Sequence, residues 1–269
     1  MKKKILIWLF IIMSTGVKSE ITSSENEKKS TENTAGEPVS KENENNEKKG
    51  YKLIDGKIYY QEYLGELVLV KEADVKTFTE LKSSYGKDKD NYYYENKKID
   101  VDKNSFVIEN YFIARDKNYV YALGRKIPGF PSEKLKIYEG DTRYITDGRS
   151  VYFIDRKLMN SDPETFVVLD DRIAKDKNNI YKDGEILYGA DPETFEILGS
   201  IYSKDKNKVY SISSPVEKAD AKTFKSIGYW YGKDKNFIFY RDDILEKADF
   251  KTFRHLEYEY GIDKNHVYY

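Results

Sequence analysis

The sequence predicts an all-β fold built from tandem β-hairpin repeats of about 29 residues, and three observations carry that prediction. The first is a polar corner, Asp-Lys-Asn in its fullest form. Its Asp stands at 55, 88, 116, 147, 176, 205, 234 and 263, in steps of 33, 28, 31, 29, 29, 29 and 29 residues. The second is an Asp-x-x-Thr-Phe pattern between the corners, running from Asp74 to Phe78, Asp162 to Phe166, Asp191 to Phe195, Asp220 to Phe224 and Asp249 to Phe253, with a weaker copy from Asp102 to Phe106. The third is composition: 15% aromatic residues, with 25 Tyr, against only 39% hydrophobic overall. Tyr buries its ring while its hydroxyl stays wet, which suits thin, two-sided β-structure better than a thick apolar core.

Taken from the amino end, Lys2-Lys3-Lys4 precedes an apolar run from Ile5 to Met13, and small residues follow up to Ser19. A basic start, a short apolar run and small residues read as a signal peptide, residues 1–19, cut after Ser19. The unbroken run of nine apolar residues is too short for a bilayer core of about 30 Å. The chain is therefore expected to be exported (periplasmic, cell-surface or secreted), with no transmembrane helix in its mature form. Residues 20–50 are mostly Glu, Lys, Ser, Thr and Asn. They bury too little to offset the entropy of ordering, so a disordered polar linker is expected there. The repeat domain follows, over residues 51–269.

Within a unit, β-branched and aromatic residues flank the corner, as Tyr111-Phe112-Ile113 and Tyr119-Val120-Tyr121 do around Asp116. Asp hydrogen-bonds the backbone two residues on, and Asn tolerates the left-handed conformation, so each corner should close a β-hairpin. A further Gly turn, as in Lys182-Asp183-Gly184-Glu185, predicts a third short strand. In Asp191-Pro192-Glu193-Thr194-Phe195, Asp is an N-cap and Pro suits the first helical position. A single helical turn should result, pointing Phe195 inward. Two residues before the corner the side chain is small (Gly86, Ala114, Ala174, Ser203, Gly232, Gly261), and three before it is large (Tyr85, Ile113, Tyr144, Ile173, Tyr202, Tyr231, Tyr260). The large one should enter the core, and a ring or backbone should pass close to the small one. Three residues after the corner the side chain varies freely, from Tyr119 to Asn179, Lys208, Phe237 and His266, as on an outward face. Such a unit is lean for a propeller blade of roughly 40 residues. An open solenoid-like stack is the expected architecture, with a closed propeller-like ring as the alternative.

The corners Asp116-Lys117-Asn118-Tyr119-Val120-Tyr121, Asp176-Lys177-Asn178-Asn179-Ile180-Tyr181, Asp205-Lys206-Asn207-Lys208-Val209-Tyr210, Asp234-Lys235-Asn236-Phe237-Ile238-Phe239 and Asp263-Lys264-Asn265-His266-Val267-Tyr268 resemble the DKNYY family of bacterial repeat proteins. Asp55-Gly56-Lys57 and Asp147-Gly148-Arg149 depart from that pattern by placing Gly after the Asp, and Asp88-Lys89-Asp90 lacks the Asn. The resemblance implies architecture and no activity.

Composition narrows function. The net charge of -1, from 46 basic and 47 acidic residues, lacks the basic field that nucleic acid requires. With no Cys there is no disulfide, thiolate nucleophile or Cys-based metal site, and the two His, His255 and His266, have no evident nucleophile partner. Calcium needs about six to eight oxygen ligands, more than one Asp and one Asn beside a Lys provide. No catalytic, cofactor or metal residue is therefore assigned. The corner lysines from Lys89 to Lys264 read as a solvated edge, and Tyr119, Phe237 and Trp230 are candidates for exposed contacts. The expected function is a non-enzymatic scaffold or binding module at the bacterial envelope, with a protein or glycan partner. A secreted hydrolase using an unrecognised carboxylate pair is the alternative.

Overall fold

Each corner sits in a small antiparallel sheet of its own, and the described residues form eight such sheets in chain order. The computed structural model describes residues 37–38, 49–62 and 65–269. The expected signal peptide, and the expected linker apart from residues 37–38 and 49–50, lie outside the described residues. Glu37–Pro38 pairs antiparallel with Thr79–Glu80, on the edge of the Asp88 sheet.

The Asp205 unit shows the pattern. Its strands are Glu196–Ile197, Tyr202–Lys204, Val209–Ser211 and Ser214–Pro215. The corner lies between the second and third, in the register Tyr202↔Ser211, Ser203↔Tyr210 and Lys204↔Val209. The hairpin is as expected, but the unit has four strands where two or three were anticipated. Two-residue strands carry too little alternation to be read from sequence. The expected helical turn is also reduced. Phe224 N donates to Asp220 O at 2.9 Å, and the turn stops there because the next strand, Lys225–Ser226, begins at once. Among the described residues the helical structure is one 3-10 turn, Ser132–Lys134.

Stacking of units makes the core. The Phe of most Asp-x-x-Thr-Phe turns lies between an aromatic ring of the preceding unit and one of its own; Phe195, 6.4 Å from Tyr210, instead joins a cluster with Ile173 of the preceding unit. Phe224 is 5.0 Å from Tyr202 and 5.5 Å from Phe239, Phe166 is 5.2 Å from Tyr144 and 5.5 Å from Tyr181, and Phe253 is 5.2 Å from Tyr231 and 5.6 Å from Tyr268. Such tilted and edge-on ring pairs add stabilisation beyond their buried area. The small residue two before the corner lets this column close: a Cβ on Gly232 would stand 2.2 Å from Phe224 Cζ. Buried tyrosines then bond across the unit boundary. Tyr202 Oη donates to Arg241 O at 2.7 Å, with Trp230 O 3.0 Å away, and Tyr231 Oη donates to Glu259 O at 2.8 Å. Tyr85, Tyr144, Tyr202 and Tyr231 are at most 1% exposed, whereas Tyr260 in the last unit is 46% exposed.

Candidate functional site

The motif residues converge on one hydrogen-bonded staple. Asp205 Oδ1 accepts from Asn207 N at 2.7 Å and Lys208 N at 2.8 Å, which fixes the corner. Its Oδ2 accepts from Asp191 N at 2.9 Å and Tyr210 Oη at 3.1 Å, which ties the corner to the preceding turn and the third strand. Lys206 N donates to Thr194 Oγ1 at 3.1 Å, and the Lys206 ammonium pairs with Asp191 at 2.5 Å. The same set recurs at Asp88, Asp116, Asp176 and Asp263, and at Asp234 without the tyrosine, because Phe239 stands there. The corner Asn serves through its backbone N–H and is not left-handed. Positive φ falls in the following turn instead, at Glu95, Leu123, Ile154, Asp183, Ile212 and Arg241.

Electrostatics follow these bonds. Burial works to raise the Asp88, Asp116 and Asp205 carboxyls, but the donated N–H and O–H groups outweigh it and hold them below the usual range. The bond from Lys235, then that from Thr223, lowers Asp220 to about 2. Burial, then Asp263, pushes Tyr268 up to about 12. The corner lysines thus form a ladder of pairs rather than a free basic ridge: Lys89–Asp74 at 3.1 Å, Lys117–Asp102 at 2.9 Å, Lys235–Asp220 at 2.7 Å and Lys264–Asp249 at 2.8 Å, with Lys177–Asp162 between them.

The Asp147 unit breaks the pattern. Pro131 stands where the other units place the turn Asp, and proline has no N–H to give to Asp147. Asp147 Oδ1 keeps its corner bonds, from Arg149 N and Ser150 N at 2.8 Å each. Gly148 replaces the lysine, and Thr146 replaces the basic residue that precedes most of the other corners. At this interruption a groove of about 630 Å3 opens between the Asp147 and Asp176 units. Tyr138, Phe166, Val167 and Val168 form its apolar wall, with Lys136, Glu139 and Glu164 also lining it. Among the described residues these three charged side chains make no ion pair. The sequence signals at this groove are Thr146 and Gly148, which line it where most other units carry a basic residue and the corner lysine.

The residues singled out from sequence fall elsewhere. Tyr119 is 43% exposed, with the Lys126 ammonium 4.2 Å from its ring centroid. Trp230 is half-buried beneath the Arg241 guanidinium, 4.0 Å from the ring centroid, and Phe237 packs edge-on against Phe239 at 6.1 Å. These three therefore do not form one platform. His255 Nε2 is engaged with Tyr258 O at 2.8 Å, and His266 lies 3.7 Å from Asp263. Among the described residues no cluster of three or more His, Asp or Glu is placed to hold a metal ion, and no helix is long and apolar enough to cross a membrane. Two carboxyls do meet at Glu62 and Glu95. Burial first, then a hydrogen bond from the protonated Glu95 carboxyl to Glu62, raises the Glu95 carboxyl.

The model of the DKNYY family matches residues 92–214 and 213–269, covering the repeat units from the strand Tyr92–Tyr94 of the Asp88 sheet onward. No curated protein and no solved structure matches the chain.

Proposed function

The chain belongs to the DKNYY family, and we propose that it works as a non-enzymatic binding module or scaffold exported to the bacterial envelope, with the groove between the Asp147 and Asp176 units as its contact surface. The observation that carries this reading is the fate of the motif carboxylates. The two oxygens of Asp205 receive four donors from its own unit, and those of Asp88, Asp116, Asp176 and Asp263 do likewise, so the recurring residues hold the fold. What departs from the repeat is what remains for recognition, and that is the groove. Export rests on the basic and apolar run from Lys2 to Met13. A protein partner suits the groove better than a glycan suits the aromatic residues, because Trp230 and Phe237 are packed into the unit.

A pull-down of the full chain against fractionated envelope of its own bacterium tests this. Retention by one fraction, lost on Val167→Asp and Glu164→Lys, is the expected result. Equal retention by the variants removes the groove from the reading. The second reading, a hydrolase, is favoured by the raised Glu95 carboxyl, because acid catalysis uses such groups. Turnover in a glycosidase and peptidase screen that vanishes on Glu95→Gln would overturn the binding-module reading.

A further inference from the structure

We propose that this groove is a lysine-accepting slot: it receives the ammonium group of a lysine side chain, carried by an extended segment of a bound protein, at the carbonyl of Pro163. The proposal rests on the binding-module reading and gives it a ligand chemistry.

The molecule supplies the template itself. In the Asp176 unit the residue before the corner, Lys175, sends its Nζ to Pro192 O at 3.0 Å, in the first turn of the next unit. In the Asp234 unit Lys233 Nζ reaches Phe250 O at 2.8 Å and lies 3.9 Å from the centroid of the Phe250 ring. Pro163 is the equivalent residue for the Asp147 unit, but the side chain that should reach it is Thr146. That hydroxyl turns back instead, donating to Ser150 O at 2.8 Å and accepting from Gly148 N at 2.9 Å. Pro163 O meets Tyr138 Oη at 3.3 Å, beyond the usual hydrogen-bond distance, and a carbonyl has a second lone pair to offer.

The space left by the missing lysine is chemically suited to one from outside. Tyr138, Phe166, Val167 and Val168 can cover the methylene stem, and an aromatic face attracts the ammonium, as the Phe250 ring does for Lys233. Glu139 and Glu164 outnumber Lys136 on the lining, so the groove favours a cation. A protein segment is the source because Lys136–Ile137 and Val167–Asp170, which run along the groove, are both edge strands of their sheets. An extended chain can pair with such an edge while one side chain enters the slot.

The test is calorimetric titration of the full chain with three probes: a capped Ala-Ala-Lys-Ala-Ala peptide, its norleucine analogue and n-butylamine. The lysine peptide should bind about tenfold tighter than the norleucine peptide, the least that one charge-assisted hydrogen bond supplies. It should also bind more tightly than butylamine. Thr146→Lys fills the slot from within, as Lys175 does in its own unit, and should abolish lysine-peptide binding with the thermal midpoint kept. Should that variant not fold, Glu139→Gln with Glu164→Gln must weaken the lysine peptide selectively. Equal binding of lysine and norleucine peptides, or unchanged binding to folded Thr146→Lys, overturns the slot. Butylamine matching the peptide overturns the protein source. Envelope retention that Val167→Asp abolishes, without any lysine preference, leaves the binding module standing and removes only the slot.

Discussion

The Asp205 and Asp147 units fold into the same four-stranded sheet with different inventories of bonds. Around Asp205, one carboxylate gathers four donors and the neighbouring lysine pairs with Asp191. Around Asp147, the carboxylate keeps the two corner donors; Pro131 has no N–H to give, Gly148 replaces the lysine, and Tyr152, which stands at the phenol position, does not bond to Asp147. The sheet survives that loss: Tyr144 and Val151 are fully buried, as are their neighbours in other units. Ring stacking and β-pairing therefore suffice to form a unit. The staple adds stability, and the groove lies beside the Asp147 unit, which lacks most of it.

The largest expected effect separates these two roles. Asp205→Ala leaves three N–H groups and the Tyr210 hydroxyl without their acceptor and should cost about 3 kcal/mol. Asp147→Ala removes a cap with two donors and should cost about 1 kcal/mol. Urea midpoints of the full chain check both. Equal losses would mean that the cross-turn bonds to Asp205 Oδ2 contribute nothing.

Acid sharpens the same contrast. Asp220 and Asp249 are each lowered from 3.8 to about 2, first by their lysine partners and then by Thr223 and Thr252. A carboxyl with a depressed folded pKa contributes stability above its unfolded value and loses it as pH falls through the folded one. The contribution is thus intact above about pH 4 and fades toward pH 2. These groups are exposed and their ion pairs screened, so the effect is modest per unit and adds up along the chain. Circular dichroism from pH 7 downward should hold until about pH 4 and then fall. A transition complete by pH 5 would refute the role given to the ladder.

Much of this was legible because a repeat compares a chain with itself. The alternation of large and small residues before the corner places the core, as Tyr231 beside Gly232 shows, except in the last unit, where no following unit among the described residues covers Tyr260. The strand Glu196–Ile197 was not legible, because two residues carry no period. The corner Asn, which tolerates the left-handed conformation, does not adopt it, for a physical reason. The corner carboxylate binds the Asn207 N–H and holds it in the ordinary region, while positive φ occurs in the separate turn after the third strand, at Ile212, a residue that local preference disfavours there. The groove was hardest to see. It is made by what the Asp147 unit lacks, and Thr146, Gly148 and Pro131 each look innocuous alone.

The smallest expected effect runs in the stabilising direction. The Asp234 unit has the whole staple except the phenol: Asp220 N, Asn236 N and Phe237 N all reach Asp234, but Phe239 occupies the position that Tyr210 holds in the preceding unit. Phe239 is fully buried, and the ring beside it, Phe224, is 5.5 Å away, within the 5.5–5.8 Å that separates Phe166 from Tyr181 and Phe106 from Tyr121. The Phe239→Tyr hydroxyl should therefore find Asp234 Oδ2 without moving the ring. A neutral donor on a buried carboxylate should give about 1 kcal/mol, seen as a higher urea midpoint with unchanged slope. If Phe239→Tyr destabilises instead, the phenol is tolerated in the other units only because their packing makes room for it, and the staple is a consequence of the aromatic column rather than a partner to it.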